Sequence, residues 1–527
     1  MTRSHSESAA SSTPSAPSTT RTATDVDAIA DRYVARLADL SPEFAVYNGL
    51  PGRRGELDDY SPEGLAALSD LDRSALRELD AVSPTDDVDR ITVAAMRERL
   101  GVSVDLADAG EELRCLNVVA SPVQSLRDGF DNMPTRTEED WADFASALRD
   151  VPRALDQYAR CLRLALSCGD VAARRQVEAV ISQAHIQAAE DTSSYTALVD
   201  SAITADGAPL SAVMAEDLRS AAATARKGYV RIAQVLTNEI LPHAGDSDAV
   251  GRERYERFSR RFLGAVVDLD ETYEWGRERL SAIDAEQRAI AEQLYGPGVS
   301  VREALDRLNT DPERAIHGTR ALQAWMQETS DAAIEALDGV HFDIPEPLRT
   351  LECRIAPSQT GGIYYTEPND DFSRPGRMWW SVPAGTTDFA TWQERTTVFH
   401  EGVPGHHLQC GTQVYLRDQL NSWRRLACWV SGHGEGWALY AEQLMADLGF
   451  HEDPGDRMGV LDSQRLRAAR VVVDIGVHLG KPRPTEVVAL PGVGEGRWDY
   501  DSAWAFLRHN VAMPEASLRF ELDRYLG

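Results

Sequence analysis

A chain of 527 residues, 43% hydrophobic and 26% charged, has the make-up of a soluble globular protein with room for a large core. Its 84 acidic against 54 basic residues leave a net charge of −30, which repels phosphate backbones and excludes DNA or RNA as a partner. No run of 18 apolar residues occurs, so no segment is expected to span a membrane.

Residues 1–24 are rich in Ser, Thr, Ala and Pro, carry too few apolar groups to repay ordering, and are expected to form a disordered polar tail. They do not read as a secretory signal. The six cysteines show no paired zinc-knuckle spacing, so reduced thiols and a cytoplasmic location are expected. From Asp25 the pattern is helical: Ile29, Tyr33, Leu37 and Leu40 recur on one face. The same periodicity predicts helices over 90–106, 140–166, 171–189, 210–236, 252–294, 301–308, 311–337, 457–478 and 500–525. Turn chemistry interrupts them at Pro51-Gly52, Ser83-Pro84, Gly296-Pro297-Gly298 and Pro345-Glu346-Pro347. A β-prone patch at 353–355, 363–366 and 378–382 predicts a small sheet. No fixed-period repeat is present, so a solenoid is not expected. The fold class expected is mostly α: a large helical bundle with a deep cleft and a small β patch. Residues 25–350 would form one wall of the cleft. Residues 351–527 would carry a zincin-like metal site.

That site rests on Phe399-His400-Glu401-Gly402-Val403-Pro404-Gly405-His406-His407, with Glu435 to Glu442 downstream. The residue types supply two imidazole ligands, a carboxylate ligand and a carboxylate base for one zinc ion. In the usual pattern the two histidines stand four apart on one helix face. Here the fourth position is Pro404. On a straight helix His406 falls about 120° off the face of His400, and His407 lies roughly 10 Å further along the axis. Nitrogens bound to one zinc are only about 3 Å apart. Pro404 lacks an N–H and clashes with the carbonyl of His400. With Gly402 and Gly405 beside it, the spacing predicts a break that swings His406 back beside His400. His407 is the rival ligand. Glu435 and Glu442, seven apart, share one helix face near Trp437, Leu439 and Tyr440, where buried carboxylates need a cation or hydrogen bonds. Cys410 is read as a small core residue rather than a ligand.

The segment His-Glu-Gly-x-Pro-Gly-His-His-Leu-Gln, followed by Glu-Gly-Trp-Ala-Leu-Tyr-Ala-Glu, resembles the bacterial domain-of-unknown-function family 885. Tyr364-Tyr365, Ser373-Arg374-Pro375-Gly376, the run from Arg467 to His478 and the stretch from Pro514 to Leu526 match that pattern too. The resemblance implies a mostly helical zinc metallopeptidase, distantly similar to carboxypeptidase Taq, angiotensin-converting enzyme and the thimet-type oligopeptidases. The family pattern continues beyond Arg524-Tyr525-Leu526 into a segment with a Tyr and a Lys. The sequence stops at Gly527, so an oxyanion-stabilising Tyr from that segment is not expected.

The expected mechanism has zinc on His400, His406 and Glu435, with one position left for water. Glu401 is the general base that later protonates the leaving amine. Glu442 would orient a ligand histidine through its other ring nitrogen. His478 is the candidate oxyanion donor by analogy with related oligopeptidases, against a structural pair with Asp474 four residues earlier. Tyr365 and Tyr364 could bond substrate backbone or the oxyanion. Arg374 and Arg377 could clamp a substrate carboxylate, and His433 is read as a loop residue. The function expected is hydrolysis of amide bonds in short peptides. The alternatives are a zinc hydrolase of a non-peptide amide and a non-catalytic helical protein that retains the metal site. Neither cleavage direction nor oligomeric state can be read from the sequence.

Overall fold

The computed structural model describes residues 21–356, 362–369, 372–383 and 385–527. The tail expected over 1–24 therefore lies mostly outside the described residues, but its last part is ordered. Arg21 donates to Asp86 at 2.6 Å and Asp27 at 2.5 Å, and it also pairs with buried Asp89. Thr24 caps the first helix in a reciprocal capping box with Asp27.

The N-terminal helices are α1 (Asp25–Leu40), α2 (Pro42–Tyr47), α3 (Pro62–Asp80), α4 (Asp87–Asp108) and α5 (Pro122–Gly129). They are followed by α6 (Glu138–Ser167), α7 (Arg174–Ala188), α8 (Ser194–Asp200) and α9 (Ala212–Val235). Their apolar faces build two cores. Leu148, Val151 and Leu155 of α6 pack on Ala221, Ala225 and Ile232 of α9, with α5, α7 and α8 around them. Val26, Ile29 and Tyr33 of α1 pack on Leu71 and Leu79 of α3 and Val93 and Met96 of α4.

The helix expected over 252–294 is two: α10 (Arg252–Leu263) and α11 (Leu269–Tyr295). Gly264 ends the first in a left-handed conformation, φ +71°, that other residues rarely adopt. After α12 (Val301–Asn309), the helix expected over 311–337 begins only with α13 (Thr319–Leu337), because β1 (Ala315–His317) and Gly318 precede it. Three strands, β2 (Leu351–Ile355), β3 (Ile363–Thr366) and β4 (Gly376–Trp380), form the sheet the β-prone patch predicts, in the order β2-β4-β3. β5 (Asp388–Ala390) pairs with β1 instead.

The last helices are α14 (Thr391–Glu401), α15 (His406–Tyr415), α16 (Ser422–Leu426), α17 (Ser431–Asp447) and α18 (Pro454–His478). After α19 (Thr485–Val488), the helix expected over 500–525 is again two, α20 (Tyr500–Asn510) and α21 (Glu515–Leu526), with Pro514 just before the second. The fold is mostly helical with small sheets.

Apolar packing runs across residue 350. Ile283 and Ile290 of α11 share a core with Met458 and Leu461 of α18, and Leu322 and Met326 of α13 pack under β2 and β4. Trp423 of α16, 1% exposed, sits in the core of α1, α3 and α4. These cores each join residues of the expected 25–350 and 351–527 regions. Among the described residues no helix is long and apolar enough to cross a membrane.

Candidate metal centre

α14 lies between the sheet and helices α17 and α18, and its last turn carries His400 and Glu401. The chain leaves the helix at Gly402, folds back over four residues and re-enters a helix at His406. Gly405 donates to the Phe399 carbonyl at 3.1 Å, and His407 to the Gly402 carbonyl at 3.1 Å. A Cβ on Gly405 would stand 1.9 Å from the His400 carbonyl oxygen, so only glycine allows this fold-back. Trp437 of α17 pins the turn by donating its indole N–H to the Pro404 carbonyl at 2.8 Å. The rings of His400 and His406 meet edge to face, centroids 5.0 Å apart.

Glu435, in the first turns of α17, completes the group. Its carboxylate lies 3.4 Å from Nε2 of His400 and 3.8 Å from Nε2 of His406. One ligand atom from each of the three falls within 4.8 Å of the other two, close enough to share a metal ion. Seven residues on, the Glu442 carboxylate is 2% exposed and accepts from Thr396 Oγ1 at 2.7 Å, His400 Nδ1 at 2.8 Å and Arg467 at 3.0 Å. A carboxylate flanked by Arg467 can only accept, so Nδ1 of His400 carries the proton. In the neutral ring, Nε2 then presents a lone pair toward another acceptor, Glu435. That arrangement is favourable only with a cation between them. Without a metal the proton plays that part: burial pushes the His400 imidazole down, but Glu435 and Glu442 outweigh it and raise the ring to about 9. The His400 hydrogen bond holds Glu435 below its ordinary value. The donor set of two imidazoles and a carboxylate, with a carboxylate behind one imidazole, fits zinc.

Glu401 is 6% exposed. Burial, reinforced by Glu435 and Glu442 and opposed by His400, pushes its carboxyl up to about 7.

His407 does not face this group. Nε2 of His407 meets the Leu348 carbonyl at 2.9 Å, which can only accept, and Nδ1 meets the Tyr365 hydroxyl at 2.9 Å. Nε2 must therefore carry the hydrogen and Nδ1 must accept. Both nitrogens of His407, the rival ligand, are engaged by groups other than His400, His406 and Glu435. The same bond consumes the Tyr365 proton. In this geometry the Tyr365 O–H, expected from the sequence to reach substrate or an oxyanion, donates to His407.

His478 is engaged on both ring nitrogens as well. Nδ1 accepts from the Val250 N–H at 3.3 Å, Nε2 donates to the Tyr525 carbonyl at 3.0 Å, and Asp474 lies 3.4 Å away. It stands eleven residues beyond Arg467 on α18, about 16 Å along the axis. It ties that helix to the chain end rather than serving the metal group. Arg377 is bound to Glu352 at 2.8 Å, and Arg374 donates to the carbonyls of Glu367 and Pro375, so neither guanidinium is a free clamp. Tyr364 is 43% exposed and stacks on Trp379, and His433 opens α17 rather than lying in a loop. Cys410 is buried, and burial followed by Glu367 pushes its thiol well up, which disfavours the thiolate a metal needs.

Arg467 and Thr396, which hold Glu442, were not singled out from the sequence as part of the site. The i, i+4 relation of Thr396 to His400 was the available signal.

The chain belongs to the family described as bacterial protein of unknown function (DUF885), whose pattern matches residues 42–527. No curated protein matches it. Two solved structures share its fold. One is the putative lipoprotein from Colwellia psychrerythraea, 18% identical, TM-score 0.78, covering 95% of this chain and 88% of its own. The other is a putative lipoprotein of unknown function from Shewanella oneidensis, 15% identical, TM-score 0.68, covering 96% and 90%. Both neighbours are described as putative lipoproteins. The cytoplasmic location expected from the sequence is overturned by this finding.

Proposed function

We propose that this protein is a zinc-dependent hydrolase of the metallopeptidase type that cleaves amide bonds in short peptides. The observation that carries the reading is the convergence of His400, His406 and Glu435 within 4.8 Å, beside the buried carboxyl of Glu401. His400, His406 and Glu435 would hold the ion, in a zincin-like arrangement. When bound, zinc supplies a Lewis acid that polarises a carbonyl and acidifies a water.

The rest of the chemistry belongs to the chain. Glu401 has a carboxyl near neutrality, so it can take a proton from the attacking water and return it to the departing amine. Glu442 keeps His400 in the tautomer that leaves Nε2 bare, and Thr396 and Arg467 keep Glu442 in place.

A digest of a mixed peptide library, with and without chelator, tests the reading. Cleavage that the chelator stops and zinc restores is the expected result. Replacing Glu401 with Gln is expected to lower turnover by about 10²- to 10⁴-fold while one zinc per chain stays bound. Chelator-insensitive cleavage, or an unchanged rate in that variant, would refute it.

A further inference from the structure

A cavity of about 490 Å³ opens at the end of the small sheet away from His407, between the start of β3, the end of β4, β5 and the first turn of α14. Ile363, Trp380 and Phe389 give it an apolar and aromatic lining, and Asp388 and Glu394 are the acids on its wall. Asp388 is engaged by His317 and the Thr387 hydroxyl. Glu394 is not: among the described residues its carboxylate has no hydrogen bond and no ion pair, and burial alone acts on it, pushing it up to about 7. Half-buried on the cavity wall and unpaired, this carboxylate is the group on the lining that a ligand cation would meet. Aromatic rings beside it favour the same ligand, since their faces attract ammonium and guanidinium groups.

The cavity also stands in register with the metal centre. Glu394 and Glu401 are seven apart on α14 and point to the same side, about 10 Å apart along the axis. β3 packs on α14 and covers about 7 Å of that interval, from Ile363 at the cavity to Tyr365 beside His407. An extended peptide covers the whole interval in about three residues, at roughly 3.4 Å each.

We propose that this cavity is a substrate subsite for a positively charged group, a lysine or arginine side chain or a terminal amine, with Glu394 as its counter-charge. The cation would sit about three residues from the bond that is cut. The proposal rests on the peptidase reading for its substrate, but its test does not need turnover.

The test uses the full-length, zinc-loaded Glu401→Gln variant and hexapeptides carrying Lys, Arg, norleucine or Glu three residues to either side of the central bond. Calorimetric titration is expected to show the Lys and Arg peptides of one series bound at least tenfold tighter than the norleucine peptide, and the Glu peptide weakest. Adding Glu394→Gln, which preserves shape, should bring the Lys-to-norleucine ratio to within twofold. Adding Glu394→Asp instead should keep most of the ratio. Zinc content confirms that each variant is folded. Equal affinity for Lys and norleucine in both series, no binding of any peptide, or a ratio unchanged by Glu394→Gln overturns the proposal. Binding with this selectivity but no cleavage by the Glu401-intact protein would sink the hydrolase reading and leave the subsite standing. Cleavage without selectivity does the reverse.

Discussion

At the scale of single residues, two buried groups make sharply different demands. The Glu442 carboxylate has three donors converging on it, one of them the guanidinium of Arg467. Glu442→Gln keeps the shape but replaces a pure acceptor by an amide that can donate, so His400 is no longer held in one tautomer. Zinc affinity, measured by competition with a chromophoric chelator, is expected to fall about 10- to 100-fold. An affinity within twofold of the parent would show that Glu442 does not orient His400. His451 is the opposite case. It is 4% exposed, packs edge-on against Phe399, and neither ring nitrogen has a partner among the described residues. Burial, then Arg395, with Arg457 adding and Glu442 opposing, depresses its imidazole from 6.5 to about 4. Between those values the unfolded chain binds a proton that the folded chain refuses. Stability therefore falls as pH drops from 6.5 toward 4, by about 1.4 kcal/mol per pH unit from this group. His451→Leu is expected to flatten that limb of the urea-midpoint profile and to cost little at pH 7. A limb as steep as the parent's would assign the acid sensitivity elsewhere.

At the scale of elements, the turn between α14 and α15 decides the site. Gly405→Ala would drive a methyl into the carbonyl oxygens of His400 and Phe399, at 1.9 and 2.5 Å. The backbone must then open, carrying His406 away from His400. The expected outcome is a loss of about 3 kcal/mol or more in stability together with loss of stoichiometric zinc. Full zinc binding by that variant would mean the fold-back is not what pairs the two rings. This turn was legible beforehand, because Pro and two Gly within four residues forbid a straight helix, and a straight helix cannot converge the imidazoles. The choice of His406 over His407 was less so. It depends on where the second helix restarts and on the Leu348 carbonyl, 59 residues away in sequence. The breaks at 264–268 and 511–514, and the non-helical stretch 311–318, escape the pattern because apolar spacing runs on through them. β1 and β5 are three residues each and pair across more than seventy positions, a contact no local pattern carries. Sequence offered His478 a side-chain partner in Asp474, but not the Val250 and Tyr525 backbone groups that engage its ring.

At the scale of the whole molecule, the metal helices lean on the N-terminal ones. Asn421 donates to Asp27 at 2.9 Å, the Ser422 N–H to Asp31 at 2.8 Å, and Trp423 fills the core beneath α1. At the entry to α17, a Cβ on Gly432 would meet the backbone of Leu263 at 2.6 Å, so α10 lies directly against the helix that carries Glu435. Arg260 of α10 in turn bonds Glu98 of α4 at 2.8 Å. Such cross-ties couple the unfolding of the two regions. The chain is expected to melt in a single transition, and zinc at about 100 times its dissociation constant should raise that transition as a whole, by about 2.7 kcal/mol. Trp423→Ala removes a large buried side chain and should lower stability by about 3–5 kcal/mol. Because the residue lies in the N-terminal core and the proposed metal group lies elsewhere, an independent N-terminal domain would melt early in that variant and ignore zinc. A coupled molecule would instead lose stability throughout and recover about the same increment when zinc is added. Scanning calorimetry of parent and variant, each with zinc and with chelator, separates the two cases: two resolved transitions, only one of them moved by zinc, would restore the division near residue 350.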